Sequence, residues 1–99
     1  MPIGVYIEYE AQPGKFDELL QCLRVESETC LREDHGCLRM ELSIPQPPDG
    51  WVVLSELWQD QQAITAHQDK PGHSHDWQIP LVARKRVRVC TVIERGTPG

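Results

Sequence analysis

Several features that would assign a protein class at once are missing from this sequence. No apolar run approaches the roughly 20 residues that a membrane helix needs, so we expect no membrane partner. The four cysteines include no C-x-x-C pair, and we expect reduced, small apolar residues rather than a disulfide framework or a zinc site. Residues 1–4 lack a basic segment followed by an apolar one. We therefore predict no signal peptide and a cytoplasmic location.

Positive charge is also scarce. Ten lysines and arginines stand against 15 aspartates and glutamates, which gives a net charge of −5. An acidic chain is poorly suited to binding phosphate backbones, so we expect no nucleic-acid partner. The basic cluster at residues 84–88 is typical of the solvent side of a strand edge. Alternatively, Arg84, Arg86 and Arg88 steer an anionic substrate.

The remaining composition is that of an ordinary globular protein. Of the 99 residues, 39% are hydrophobic and 25% are charged. A chain of this size forms one domain with a modest core. We therefore predict a single domain over residues 1–99, with its core between about 3 and 94.

Hydrophobic periodicity predicts an alternating series of strands and helices. Strands are predicted at about 3–10, 38–44, 51–58 and 86–93, a long amphipathic helix at about 15–32, and a short helix from Asp60 to His67. A further short helical piece is expected around residues 77–82, after a polar loop at 69–75. The order β-α-β-β-α-β predicts an α+β, ferredoxin-like fold with a four-stranded antiparallel sheet.

The first, third and fourth strands carry apolar residues on both faces, and two helices can cover only one face of such a sheet. We expect a second copy of the chain to cover the other face. The pattern therefore predicts a homodimer in which sheet packs against sheet.

Three segments resemble one known family. Gln12–Leu20 is similar to its Pro-Gly-Lys helix entry, and Glu33–Leu38 to its turn into the second strand. Ser55–Ala63, followed by Ala66 and His67, resembles its Glu-x-Trp-x-Asp-x-x-Ala…Ala-His signature. On these motifs the chain is identified as a member of the antibiotic biosynthesis monooxygenase domain family, within the dimeric α+β barrel superfamily.

The resemblance implies a ferredoxin-like monomer, a sheet-to-sheet dimer and a pocket between each sheet and its helices. Characterised members oxygenate quinols or anthrones without metal or flavin, because the deprotonated substrate itself supplies electrons to dioxygen. Other relatives degrade haem or process small metabolites. The fold alone therefore does not name the substrate.

This sequence departs from both characterised chemistries. The asparagine, tryptophan and axial histidine of the haem-degrading relatives fall at Ile7, His67 and near Trp77. The asparagine and tyrosine of the anthrone-oxidising relatives fall at Leu54 and Ile64. These departures argue against haem degradation and leave the pocket itself as the expected shared feature.

His67 is the predicted catalytic residue. Histidine changes charge near neutral pH and serves as a general base. The alternative is a half-buried structural histidine bonded to a carbonyl or to Glu56. In the functional interpretation, Glu56 orients His67, and Trp58 walls the pocket and stacks on a planar substrate. In the structural interpretation, Trp58 is core packing and Glu56 is a buried acceptor.

Three further residues are candidates for substrate binding. Tyr6 holds a substrate oxygen or lies in the dimer interface, and Trp77 shapes the same pocket as Tyr6 and Trp58. His73 lies in the polar loop together with His75. With His67 these two residues have the number of nitrogens that a metal site needs, but a solvated loop is the simpler interpretation and no metal is predicted.

The leading hypothesis is a cofactor-independent monooxygenase that oxidises a small, planar, quinol- or anthrone-like substrate with dioxygen. His67 acts as the base in an apolar pocket. The first alternative is a non-oxygenating small-metabolite binder or isomerase of the same fold. The second is a haem-binding protein.

Overall fold

The predicted strands form one antiparallel sheet. The structure is a computed structural model and describes residues 1–96 of the predicted 1–99 domain, so residues 97–99 lie outside it. Its elements are β1 (Ile3–Ala11), α1 (Phe16–Glu33), β2 (Cys37–Ser43), β3 (Trp51–Trp58), α2 (Gln61–Gln68), a 3-10 turn (Asp76–Gln78) and β4 (Val82–Thr91). The strand order is β2-β3-β1-β4 with antiparallel neighbours. The predicted ferredoxin-like α+β fold is confirmed.

Neither helix within residues 1–96 combines the length and the apolarity that a bilayer span requires.

The sequence-based prediction is wrong for residues 77–85, whereas most of the predicted strand at 86–93 lies within β4. The expected short helix is only the 3-10 turn at Asp76–Gln78, and β4 begins at Val82 rather than near residue 86. The Leu81 carbonyl accepts a hydrogen bond from the backbone N–H of Gln12, at 2.9 Å. Pairing with the end of β1 therefore extends the chain at Leu81, and local helical spacing cannot reveal such a long-range contact.

The hydrophobic core lies between the sheet and α1. Alternate residues of β1 and β3 point towards the helix, because strand side chains alternate between faces. Leu19 and Leu23 of α1 are fully buried against them, as is Trp58 at the end of β3. Burial of each such side chain contributes roughly 1.5–3 kcal/mol to stability.

The opposite face of the sheet carries no helix within residues 1–96. Trp51 and Val53 of β3 lie there half-buried, and Tyr6 of β1 is 38% exposed. On β4, however, the register places arginines on this face, and Glu8 and Glu10 of β1 form ion pairs with two of them. The expectation that three strands are apolar on both faces therefore holds for β3 and only in part for β1 and β4.

Candidate active site

A cavity of about 310 Å³ lies between the sheet and the two helices, at the lower end of the range for small-molecule sites. Its apolar lining includes Val5 and Ile7 of β1, Leu54 of β3, Leu23 of α1 and Ile64 of α2. Val87 and Val89 of β4 also line it, yet they are 55% and 61% exposed. The cavity is therefore open along β4, at the edge of the sheet.

His67 lies in the wall of this cavity, near the end of α2. The carboxylate of Asp60 caps the start of that helix by accepting a hydrogen bond from the backbone N–H of Ala63, at 2.9 Å. Such a cap fixes where a short helix begins, and hence which residue of α2 reaches the cavity. The side chain of His67 is 16% exposed.

The partner of His67 is Asp34. Oδ2 of Asp34 lies 2.6 Å from Nδ1 of His67, and the aspartate side chain is 8% exposed. An ionised carboxylate can only accept, so Nδ1–H of His67 donates. The contact leaves Nε2 as the ring nitrogen that can take a proton from a ligand.

A close approach of α2 to the end of α1 allows this contact. The Gly36 carbonyl accepts a hydrogen bond from the backbone N–H of Gln59, at 2.8 Å. Gly36 has a φ of +86°, and a Cβ at this position would lie 2.6 Å from Cβ of Ala63. Only glycine fits this backbone and this spacing without strain.

Asp34 is also held by a cation. Nζ of Lys70 donates to Oδ1 of Asp34 at 3.2 Å, and it lies 3.4 Å from Oε1 of Glu33. Burial by itself raises the pKa of the Asp34 carboxyl, but the hydrogen bonds from His67 and Lys70 outweigh burial and hold the pKa below its ordinary value. Asp34 is therefore charged at neutral pH, and its carboxylate accepts the hydrogen bond from Nδ1–H of His67.

Asp34 is a residue of this site that the sequence alone does not predict. Glu56 is the predicted hydrogen-bond partner of His67, but in the structure Asp34 is the residue that accepts from Nδ1 of His67. No spacing rule links positions 34 and 67. The available signal is that Asp34 lies within the segment that resembles the family, immediately before the turn at Gly36.

Glu56 and Trp58 form a separate pair in the cavity wall. Nε1–H of Trp58 donates to Oε1 of Glu56 at 2.8 Å, and the indole ring centroid lies 5.1 Å from that of His67. Burial raises the pKa of the Glu56 carboxyl, and this effect exceeds the lowering by Trp58 and His67. Trp58 is 1% exposed, so it both packs the core and orients Glu56.

The loop after α2 brings two more imidazoles to the cavity. The His73 ring centroid lies 4.5 Å from that of His67, and the His75 centroid lies 4.7 Å from that of His73. The backbone N–H of His73 bonds the Lys70 carbonyl at 3.0 Å, which fixes the turn. Burial lowers the pKa of both His73 and His75. A row of three imidazoles thus leads from Asp34 to the surface.

Two candidates do not share the cavity. Tyr6 points to the opposite face of the sheet, because it alternates with Val5 and Ile7, and Trp77 packs against the core without lining the cavity. The prediction that these aromatic residues shape one pocket with Trp58 is wrong. Strand alternation directs Tyr6 away from the helices, and Trp77 lies in the 3-10 turn at Asp76–Gln78.

Most of the chain matches one known protein family. Residues 2–77 match the family model described as antibiotic biosynthesis monooxygenase. The chain belongs to this family. The match includes the three segments that resemble this family, so the family resemblance is confirmed.

Several solved structures share the fold of this chain. A candidate antibiotic biosynthesis monooxygenase from Deinococcus radiodurans has a TM-score of 0.82 at 20% identity, covering 100% of this chain and 99% of its own. A protein from Pseudomonas aeruginosa has a TM-score of 0.80 at 20% identity, covering 94% of this chain and 95% of its own. A protein from Shewanella oneidensis has a TM-score of 0.77 at 23% identity, covering 90% of this chain and 88% of its own. No curated protein matches the chain significantly. At these identities the likeness establishes the fold and not the substrate.

Proposed function

We propose that this family member is a cofactor-independent monooxygenase that oxidises a small, planar, quinol- or anthrone-like substrate with dioxygen. One observation carries the proposal: the Asp34–His67 pair lies in the wall of an apolar cavity. A neutral imidazole that is oriented by a buried carboxylate is suited to remove a proton from a phenol or an activated carbon. The family name supports oxygenation in general, and the choice of His67 as the base rests on this geometry.

The proposed reaction needs only the substrate, dioxygen and these side chains. Nε2 of His67 takes a proton from the substrate, and Asp34 stabilises the imidazolium that forms. The substrate carbanion passes electrons to dioxygen, and the carbon–oxygen bond forms as a hydroperoxide that is protonated by His67. Loss of water then gives the ketone, so that one CH2 group and one O2 become one C=O group and one H2O. The apolar walls keep competing water from the carbanion.

Glu56 favours a second candidate function. It lies in the same cavity wall as His67, and burial shifts its pKa towards neutrality. Two acid–base groups in one cavity are what an isomerase needs, because one removes a proton and the other returns it. A non-oxygenating isomerase or binder is therefore the alternative, and oxygen consumption distinguishes it from the monooxygenase.

We further propose that two copies of the chain form a dimer through the helix-free face of the sheet. Members of this family are usually dimeric. Trp51, Val53 and Tyr6 form the apolar part of this face. The proposed dimer would cover these side chains and supply core that a chain of this length lacks.

Oxygen uptake with a panel of quinols and anthrones tests the function. The wild-type protein is expected to consume oxygen with at least one compound, and His67→Gln is expected to lower kcat about 100-fold or more. His35→Gln, an exposed histidine in the turn after α1, is the matched control and keeps the wild-type rate. Equal rates for His67→Gln and wild type would remove His67 as the base. Substrate turnover without oxygen uptake would favour the isomerase.

A further inference from the structure

A second cavity, of about 210 Å³, lies on the Asp34 side of His67. The end of α1 and the loop after α2 enclose it. Cys30, Asp34 and His67 line this cavity, and one potential ligand atom of each lies within 4.8 Å of the others. Sγ of Cys30 lies 3.9 Å from Nδ1 of His67. Within residues 1–96, the ligand atoms of Cys30, Asp34 and His67 lie close enough together to hold one metal ion.

We propose that Cys30, Asp34 and His67 bind a zinc ion or a similar soft divalent transition metal. A thiolate, an imidazole nitrogen and a carboxylate oxygen are the three ligand types that zinc takes in proteins, whereas magnesium and calcium prefer oxygen alone. Cys30 lies in the last turn of α1, and Asp34 caps that helix by donating its backbone N–H to the Cys30 carbonyl at 2.9 Å. His67 completes the set from α2.

The distances require only small side-chain movements. A tetrahedral zinc ion holds sulfur at about 2.3 Å and nitrogen at about 2.0–2.1 Å, so its ligand atoms lie roughly 3.3–3.6 Å apart. The Cys30–His67 distance of 3.9 Å is close to this value. The Asp34–His67 distance of 2.6 Å must open, and rotation of the aspartate side chain provides this. His73 lines the same cavity and could supply the fourth ligand, as could water.

The charges at the site suit a divalent cation. A Cys30 thiolate and the Asp34 carboxylate together neutralise two positive charges, while His67 binds as a neutral ring. Coordination releases the thiol proton to solvent, and the ring proton of His67 moves from Nδ1 to Nε2. Lys70 donates to Oδ1 of Asp34, and its positive charge repels a bound metal ion. This repulsion lowers the metal affinity but does not change which residues are the ligands.

Metal binding and the proposed base function exclude each other. Both use Nδ1 of His67 and Oδ2 of Asp34, and the metal places the ring proton on Nε2, where the base needs a free lone pair. Zinc is therefore expected to act as an inhibitor. The binding test below uses no substrate, so a failure of the metal proposal and a failure of the proposed oxygenation are distinguishable.

Titration of the metal-free protein with Co2+ tests the site. Cobalt is expected to bind one ion per chain and to give a thiolate-to-metal charge-transfer band with tetrahedral d–d bands, and Zn2+ is expected to displace it and raise the Tm. Cys30→Ser removes the charge-transfer band. Cys22→Ser, a partly buried cysteine of the same helix that lines neither cavity, is the control and retains it.

Two further variants keep the test decisive if Cys30→Ser does not fold. Asp34→Asn is expected to weaken cobalt binding about tenfold or more while the thiolate band remains at saturation. Lys70→Gln is expected to tighten binding about tenfold, because a nearby positive charge is removed. The proposal is overturned if the wild type gives no thiolate band, if Cys22→Ser removes the band, or if Lys70→Gln weakens binding.

Discussion

Nδ1 of His67 and Oδ2 of Asp34 lie 2.6 Å apart, although 33 positions separate these residues in the chain. The contact joins the end of α1 to the end of α2. It gives the imidazole a fixed tautomer and a buried counter-charge at the wall of an apolar cavity. The proposed proton abstraction and the proposed metal binding both depend on that geometry.

Replacement of Asp34 by asparagine tests its role in orienting the base. The amide keeps the size of the side chain but provides no charge to stabilise a protonated His67. We expect kcat for oxygen uptake to fall about 10- to 100-fold with little change in KM. Glu33→Gln, a neighbouring carboxylate that contacts Lys70 but not His67, keeps the wild-type rate. Undiminished turnover by Asp34→Asn would show that the carboxylate is not needed.

Replacement of Gly36 by alanine tests the close approach of α2 to the end of α1. The new Cβ would lie 2.6 Å from Cβ of Ala63, at a φ of +86°. We expect the free energy of unfolding in urea to fall by about 2–4 kcal/mol, from backbone strain and overpacking together. Gly14 has a φ of +75°, and a Cβ added there would have nothing within 4 Å. Gly14→Ala therefore measures backbone strain alone and should lower the free energy of unfolding by about 1–2 kcal/mol. Equal losses for the two variants would contradict the tight contact.

Replacement of Glu56 by glutamine is expected to change how stability depends on pH. Burial raises the folded-state pKa of this carboxyl above its ordinary value. The folded state therefore binds the proton more tightly than the unfolded state, and wild-type stability falls as pH rises from the ordinary range through the raised pKa. Glutamine lacks this titration and still accepts from Trp58. Its stability relative to wild type should increase with pH, by about 1.4 kcal/mol for each pH unit between the ordinary and the raised pKa.

Urea unfolding at several pH values between 4 and 7 measures this difference. Glu41→Gln, an exposed residue on β2, is the matched control and should show no such trend. A constant difference between Glu56→Gln and wild type across the range would mean that Glu56 titrates alike in the folded and unfolded states.

Replacement of Val53 by arginine tests the proposed dimer. The side chain lies half-buried on the helix-free face of the sheet, and a buried charge opposes packing of two such faces. In sedimentation at micromolar concentration we expect the wild type to have the mass of two chains and Val53→Arg that of one. Ala66→Arg, at an exposed position of α2, should remain a dimer. A stable, folded wild-type monomer would refute the sheet-to-sheet arrangement.

Much of the fold follows from the order of residues alone. Alternation of apolar residues predicts β1, β2 and β3, and helical spacing predicts α1 and α2 within a few residues, because each pattern buries one face of its element. The predicted cap at Asp60 is present as a hydrogen bond to Ala63. Local signals fail at β4, whose start depends on pairing with the end of β1.

The candidate site divides in the same way. The helical and strand repeats of apolar residues are enough to predict that His67 lies at the end of a short helix over the sheet. They also predict that Glu56 and Trp58 share the sheet face beneath that helix. The folded chain adds that Asp34 binds His67, that Cys30 lies beside them and that Tyr6 faces away. These contacts depend on how closely α1 and α2 approach at Gly36 and on the register of the strands, and neither is encoded in the spacing of any single element.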